Sequence, residues 1–246
     1  MEKNFRLTIE YDGTSYHGWQ MQKDLRTVQG EITNALGTIM QQKVPVIGSG
    51  RTDAGVHALG QVASFRCNTR LLPGDIMNAL NSLLPDDIVI IDCAAVSPDF
   101  HAQYSAKSKT YLYRILNRKI PAAVFRHYAW HVKPPLDLDA MDRAASLLVG
   151  THDFSSFEGA GSPKLSSERT VTEAFFKKET GGYIGFHVTA DGFLKHMVRN
   201  IVGTLVEVGL GKIEPSRITE ILGAKERSMA GATAPAHGLF LVSVTY

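Results

Sequence analysis

The sequence predicts an α+β protein built from two similar β-α-β-β-α-β subdomains with antiparallel sheets. Strands with alternating apolar residues and helices with apolar stripes follow one another in the same order twice along the 246 residues. A chain of this length can hold two domains of ordinary size. Apolar residues make up 44% of the chain and charged residues 20%, which is usual for globular proteins. No apolar run approaches the ~18 residues that a membrane helix needs.

The first half contains the elements of one such unit. Its first strand is predicted from alternating apolar positions, which are Phe5, Leu7, Ile9 and Tyr11. Thr27 is a suitable N-cap for a helix, and Pro73 suits the first turn of another. The helix stripes are Val28, Ile32, Ala35, Leu36, Ile39 and Met40, then Ile76, Met77, Leu80, Leu83 and Leu84. Further strands are predicted at Val44–Ile47, Gln61–Phe65 and Ile88–Ile91.

The second half repeats this order without repeating the sequence. Strands are predicted at Tyr111–Leu116, Val171–Phe176, Ile184–Val188 and Leu239–Val244, with a hairpin turn at Gly181-Gly182. Asp137 or Asp139 can cap a helix that Gly150 ends. A longer helix is predicted at Phe193–Leu210, and a shorter one follows Pro215. We therefore expect domains at 1–104 and 105–246, with a boundary near Gln103–Lys109 and a central catalytic cleft between the two sheets.

The stretch Gly48–His57 is the main candidate for a site. It reads Gly-Ser-Gly-Arg-Thr-Asp-Ala-Gly-Val-His and lies between two predicted strands. Its glycines allow close approach of backbone, or dihedral angles that a Cβ forbids. Asp53 is a possible nucleophile or general base, and the nearby Arg51 would favour its ionised form. The same two residues could also be a structural ion pair that fixes a tight loop, and residue type alone favours that interpretation.

Several other kinds of site are disfavoured by the motifs. The loop lacks the third glycine of a dinucleotide fingerprint, and no P-loop or nucleophile-elbow motif is present. Asp53 and His57 are four residues apart, but Gly55 makes a helix that would hold a metal between them unlikely to form. We expect no cofactor and no metal. The two isolated cysteines and the absence of a signal peptide pattern favour a reducing cytoplasm.

Two stretches suit contact with nucleic acid. Phe100–Leu136 contains no acidic residue, and its basic residues are Lys107, Lys109, Arg114, Arg118, Lys119, Arg126 and Lys133. Tyr104, Tyr111, Tyr113, Tyr128 and Trp130 are interleaved with them. Tyr11–Gln22 combines aromatic, amide and glycine residues in one loop. Such groups bind phosphates and unstacked bases. A solvated face with buried rings, and a loop that covers the core, are equally good interpretations of the two stretches.

Taken together, these stretches resemble the bacterial tRNA pseudouridine synthase A family over essentially the whole chain. The motifs that carry the resemblance are Tyr11-Asp-Gly-Thr-x-x-His-Gly-Trp-Gln-x-Gln, Gly50-Arg-Thr-Asp-Ala-Gly-Val-His-Ala58, Phe100-His-Ala102 with Ser105-Ala106, Tyr111 with Tyr113, Asp191-Gly-Phe-Leu-x-His-Met-Val-Arg-Asn-Ile-Val-Gly203, and Ala236-x-Gly-Leu239. The arginine–threonine–aspartate loop in this setting is very specific to that family.

The resemblance implies the pseudouridine synthase fold, a homodimer, no cofactor, and conversion of uridine to pseudouridine at positions 38, 39 and 40 of the tRNA anticodon stem-loop. It implies that Asp53 is the catalytic aspartate and that Tyr111 contacts the target base. Arg51 is implied to help extrude the nucleotide, and Arg199 to pair with the catalytic carboxylate. The residues leave two alternatives open: a non-catalytic RNA-binding module, and a hydrolase, although hydrolases of glycosidic bonds usually need two carboxylates.

Overall fold

A computed structural model describes residues 2–161 and 166–246, and the chain divides into two compact units. One unit comprises Met1–Lys107 and Phe240–Tyr246, and the other comprises Ser108–Leu239. Each unit combines a sheet with helices, which confirms the α+β class. The predicted domains, 1–104 and 105–246, divide the chain differently at its end, since the last strand belongs to the first unit. The cleft between the halves stays a prediction.

The strands are β1 (Lys3–Tyr11), β2 (Ile47–Gly48), β3 (His57–Cys67), β4 (Ile88–Val96), β5 (Ser108–Asn117), β6 (Trp130–Val132), β7 (Gly150–Asp153), β8 (Glu168–Lys178), β9 (Tyr183–Ala190) and β10 (Leu239–Thr245). The α-helices are α1 (Val28–Met40), α2 (Pro73–Leu83), α3 (Leu138–Ser146), α4 (Met197–Gly209) and α5 (Arg217–Ala224). None of the helices in the described part of the chain is long and apolar enough to cross a membrane.

The sheet of the first unit has the strand order β4-β1-β3-β10, with the short β2 beside β3. β1 is antiparallel to both of its neighbours, whereas β10 runs parallel to β3, with Phe240 opposite His57. The alternating positions of β1 are buried as predicted, and the exposed fraction of the Leu7 and Ile9 side chains is 0%. The side chain of Thr27 caps α1 by accepting a hydrogen bond from the Gly30 N–H, which confirms the predicted start of that helix.

The sheet of the second unit has the order β5-β9-β8-β7, and β6 runs parallel to β5 at its edge. The hairpin between β8 and β9 turns through Gly181 and Gly182, whose φ angles are +73° and +85°, so the predicted glycine turn is confirmed. Asp137 caps α3 through a hydrogen bond from the Ala140 N–H. Helix α4 is buried on nearly every side and forms much of this unit's core.

Three predicted elements are wrong in their bounds. The strand predicted at Val44–Ile47 is reduced to Ile47–Gly48, because Pro45 has no N–H to donate to a ladder. The helix predicted to begin at Phe193 begins at Met197, because His196 adopts a left-handed conformation with a φ of +60°. Helix α3 ends at Ser146, and Gly150, with a φ of +117°, opens β7 instead of ending the helix.

Candidate functional site

The loop that carries Asp53 leaves the sheet of the first unit from a fixed starting point. The Ser49 N–H donates to the Val62 carbonyl at 2.7 Å, and the Ser49 hydroxyl donates to the Gln61 side-chain oxygen at 2.7 Å. The Gln61 amide in turn donates to the Gly50 carbonyl at 3.1 Å. Ser49 and Gln61 are fully buried. The segment before Asp53 is therefore held against β3 by both its backbone and its side chains.

The residues that flank Asp53 are tied to the loop that follows β1. The Thr52 and Tyr11 hydroxyls are hydrogen-bonded at 2.7 Å in a buried position. The Thr52 carbonyl accepts a hydrogen bond from the Trp19 N–H at 3.1 Å, and the Gly55 N–H donates to the Tyr16 carbonyl at 3.3 Å. The half-buried Asp53 thus lies between two anchored neighbours, which limits the directions in which its carboxylate can move.

Close packing of these two loops requires glycine at two positions. Gly18 has a φ of +88°, and a Cβ at this position would lie 2.5 Å from the Thr52 carbonyl oxygen. A Cβ on Gly13 would lie 2.0 Å from the Val56 carbonyl oxygen. A Cβ atom does not approach another atom this closely, so a larger residue at either position would push the two loops apart. The glycines of the first loop therefore set how closely it approaches the chain around Asp53.

The aromatic rings of the Tyr11–Gln22 stretch are buried. The exposed fractions are 3% for Tyr11, 3% for Tyr16 and 1% for Trp19. Rings in this state are not available for stacking on a base. Of the two interpretations of this stretch, the loop that covers the core is the one that the structure supports.

Arg51 is exposed, whereas Asp53 is half-buried. The structural ion pair that residue type alone favoured for this loop stays a prediction. The positive charge of the exposed Arg51 guanidinium is therefore accessible to a phosphate or a base.

His57 lies at the other end of the loop, and its sequence context predicts no role for it beyond a disfavoured metal site. Its ring is buried, lies 4.7 Å from the Phe240 ring in a stacked arrangement, and has its Nδ1 atom 3.0 Å from the Asp12 carboxylate. The Gly13 N–H lies 3.1 Å from the same nitrogen. In the part of the chain that is described, no group of three or more His, Cys, Asp or Glu residues is arranged to hold a metal ion.

The second unit carries the other two candidate residues. Tyr111 lies in β5 opposite Val188, its exposed fraction is 7%, and the edge of its ring meets the Phe193 ring at 4.9 Å. Arg199 is in the first turn of α4, where its Nε donates to the Ala234 carbonyl at 2.8 Å. The Ala234 N–H donates back to the Arg199 carbonyl at 3.1 Å, so both residues are positioned by each other's backbone.

Asn200, beside Arg199, organises the same region and was missed as a site residue. It is fully buried, and its amide donates to the Phe157 carbonyl at 2.7 Å. Its side-chain oxygen accepts hydrogen bonds from Arg227 at 3.0 Å and from Thr233 at 2.6 Å. A polar residue directly after the arginine within an apolar helix stripe was the available signal.

The basic stretch Phe100–Leu136 has features of both expected interpretations, the surface for nucleic acid and the solvated face with buried rings. Most of its basic residues are exposed, namely Lys107, Arg118, Lys119, Arg126 and Lys133. The Tyr111 and Tyr113 rings are buried, whereas Tyr104 is 80% exposed and stacks on the His101 ring at 4.3 Å. Lys109 differs from the exposed basic residues, because it is half-buried and burial lowers its pKa. The charges are thus available to a polyanion, while most of the rings support the fold.

Comparison with known proteins gives a consistent family. A family model described as tRNA pseudouridine synthase matches residues 7–105 and 144–246. Arg51, Asp53 and Arg199 lie within the matched residues, and Tyr111 lies between the two matched segments. Three curated proteins named tRNA pseudouridine synthase A are similar over nearly their whole length. The protein from Acetivibrio thermocellus is 51% identical over 99% of this chain and 100% of its own. The protein from Moorella thermoacetica is 49% identical over 98% of both chains, and that from Thermoanaerobacter sp. is 48% identical over 99% of this chain and 100% of its own.

Proposed function

This chain belongs to the tRNA pseudouridine synthase family and is an isomerase that converts uridine to pseudouridine in tRNA, and we propose that it acts at positions 38, 39 and 40 of the anticodon stem-loop. We further propose that Asp53 is the essential catalytic carboxylate. The observation that carries this assignment is the bracing of Asp53 by buried hydrogen bonds on both sides of the loop. A reacting group gains most from being held in one geometry.

The chemistry suits a single carboxylate. Uracil must detach from C1′ of the ribose, rotate, and rejoin the sugar through C5. The reaction is an isomerisation, so it transfers no electrons and no phosphate. The Asp53 carboxylate can bond covalently to C1′ or to C6 of the base, or accept a proton from C2′. Each route needs one carboxylate in a fixed place, whereas hydrolysis of a glycosidic bond usually needs two.

Three further residues are assigned roles around the target uridine and the catalytic carboxylate. The target uridine must leave the stem before it can react, which costs a few kcal/mol. Exposed Arg51 is proposed to help extrude it, because a guanidinium can hydrogen-bond to phosphates and base edges. Tyr111 is proposed to contact the extruded base. Arg199 is proposed to pair with the catalytic carboxylate. Basic residues exposed in Phe100–Leu136 would bind the backbone of the tRNA.

Release of tritium from tRNA that carries uridine tritiated at C5 tests the assignment of Asp53. We expect Asp53→Asn to abolish release while tRNA binding persists. Asp99→Asn is the matched control, because it removes the charge of an exposed aspartate of the same unit, and it should release tritium at the wild-type rate. Release by Asp53→Asn at a near wild-type rate would refute the assignment. Wild-type protein that binds tRNA but never releases tritium would indicate an RNA-binding module.

The role of Tyr111 has its own test. Tyr111→Phe keeps the ring and its contact with Phe193 and removes only the hydroxyl. We expect tRNA affinity to change little and turnover to fall. A variant with weak binding but normal turnover of bound tRNA would contradict a role at the base.

The positions and the setting of the reaction can be measured directly. Mapping pseudouridine in tRNA from cells with and without this protein should show losses confined to positions 38, 39 and 40. Losses elsewhere would overturn the proposed positions without affecting the isomerase activity. We also propose a cytoplasmic homodimer. Sedimentation equilibrium of the purified protein should give twice the mass of one 26.9 kDa chain.

A further inference from the structure

A cluster of polar side chains lies beside the loop that carries Asp53. The Tyr16 ring is buried, and its hydroxyl donates a hydrogen bond to the Asp87 carboxylate. Arg26 donates to the Tyr16 hydroxyl at 2.8 Å and lies 3.3 Å from the Asp87 carboxylate. The Arg26 guanidinium also lies over the Tyr16 ring, 4.3 Å from its centre, and pairs with Glu31 at 3.1 Å. Contacts with the face of the ring and hydrogen bonds to the hydroxyl therefore both hold the Tyr16 side chain in place.

The main chain of Tyr16 connects this cluster to the loop. Its carbonyl accepts the hydrogen bond from the Gly55 N–H, two residues after Asp53. The Asp87 carbonyl accepts a hydrogen bond from the Asp12 N–H at 3.0 Å, which fixes the start of the same segment. The contacts that hold the Tyr16 side chain therefore also help to hold the carbonyl that anchors Gly55.

We propose that Tyr16, held by Asp87 and Arg26, is a positioning residue that sets where the Asp53 carboxylate stands. This inference rests on the proposed catalytic role of Asp53. The cluster is at the rim of the unit, since the side chains of Arg26 and Asp87 are 40% and 30% exposed. The apolar core of the sheet includes Phe5, Leu7, Ile9 and Phe65, all of which are buried, and Tyr16→Phe keeps the buried ring that Tyr16 adds to it. Losing the hydroxyl should therefore disturb the loop more than the fold.

The state of the hydroxyl agrees with this role. Burial raises the pKa of Tyr16 well above its usual value, and the hydrogen bond to Asp87 raises it further. The hydroxyl therefore remains protonated over the whole range in which the enzyme can be assayed. It therefore serves as a hydrogen-bond donor to Asp87.

Tyr16→Phe tests the proposal, because it removes the hydroxyl that ties the residue to Asp87 and Arg26, so the ring and the main-chain carbonyl remain but can shift. We expect the single-turnover rate of tritium release at saturating enzyme to fall about tenfold, since small displacements of a reacting group are costly. The dissociation constant for tRNA should stay within twofold of wild type. Asp87→Asn keeps an oxygen that can accept from the hydroxyl, so it should reduce the rate less than Tyr16→Phe.

The ion pair between Arg6 and Asp92, 3.1 Å apart on the same unit, provides a matched control. Asp92→Asn removes a surface charge pair away from the loop and should keep the wild-type rate. The proposal is overturned if Tyr16→Phe keeps a rate within twofold of wild type, whatever its melting temperature, or if its loss appears only as weaker tRNA binding. If Asp53→Asn is inactive and Tyr16→Phe is fully active, this inference alone fails. If Asp53→Asn is active, the proposed role of Asp53 fails as well.

Discussion

Replacing Gly18 by alanine should damage both the stability of the first unit and the rate of the reaction. Gly18 has a φ of +88°, which is costly for a residue with a Cβ. The new methyl group would meet the Thr52 carbonyl oxygen at 2.5 Å, the Asp53 carbonyl carbon at 3.0 Å and the Ala54 nitrogen at 3.1 Å. All three are backbone atoms, so no side chain can rotate to make room.

The magnitude follows from these distances. The left-handed conformation costs about 1–2 kcal/mol for alanine. Relief of the overlap adds about 1–3 kcal/mol, as for other overpacked sites, giving a total of about 2–5 kcal/mol. Ordinary contact begins at 3.4 Å, so the methyl group and the Thr52 oxygen must separate by 0.9 Å. A displacement near 1 Å at a reacting group lowers the rate by roughly 100-fold.

Urea unfolding and single-turnover tritium release measure the two effects. Gly74 is the matched control, because a Cβ at this position in α2 meets nothing within 4 Å. Gly74→Ala should leave the rate unchanged and stabilise the helix by up to about 1 kcal/mol. A Gly18→Ala protein with wild-type stability and a rate within twofold of wild type would refute the view that this glycine sets the approach of the two loops.

Three further predictions concern stability. Thr27→Ala should cost about 1 kcal/mol in urea unfolding by removing the cap of α1, while Thr27→Ser should cost much less because it keeps the hydroxyl. Asn200→Ala should cost about 2–4 kcal/mol in the same assay, because it leaves the buried partners of the side chain, such as the Phe157 carbonyl, without their hydrogen bonds; wild-type stability would contradict this. Hydrogen bonds from Ser155 lower the pKa of Asp153 below its usual 3.8 in the folded protein. The ionised carboxylate therefore contributes its full stabilisation above about pH 4, and this stabilisation is lost as the pH falls through the lowered pKa of the folded state. Thermal melts from pH 6 to pH 2 should therefore show a shallower acid dependence for Asp153→Asn than for wild type.

Local patterns in the sequence predicted most of the secondary structure correctly. The alternation in β1 and the cap of α1 each depend on residues within a few positions of one another. The same holds for the glycine turn between β8 and β9. Such features are confirmed because backbone preference and burial favour the same conformation at each of them.

The errors have two causes, a proline within an apolar run and a contact between residues far apart in the sequence. Val44 and Val46 are buried as a strand would require, with exposed fractions of 1% and 4%, but Pro45 between them prevents the ladder. The apolar pattern extends α4 back to Phe193, but the left-handed His196 ends that extension. Its ring packs closely against Gly159, at a site that lies far away in the sequence.

The candidate site residues likewise divide into those whose role the sequence predicts and those whose setting only the structure reveals. Asp53 was identified from the composition of its loop and from the family motif, and both are properties of the sequence. The structural ion pair with Arg51 is the interpretation that residue type favours, and it stays a prediction, whereas the exposure of Arg51 is known only from the structure. The aromatic residues around Tyr16 and Trp19 suggested recognition of bases, but their rings are buried beneath the loops.

The sequence by itself determined the α+β class, the order of most elements and the family, because these depend on short-range patterns and on motifs of adjacent residues. Only the tertiary structure decided how Asp53 is held. Its supports join residues far apart in the chain, such as Tyr11 and Thr52, which are 41 positions apart. The parallel pairing of β10 with β3 likewise brings together residues far apart in the chain, such as Phe240 and His57. No local pattern specifies such pairs, because they form only when folding buries both partners together.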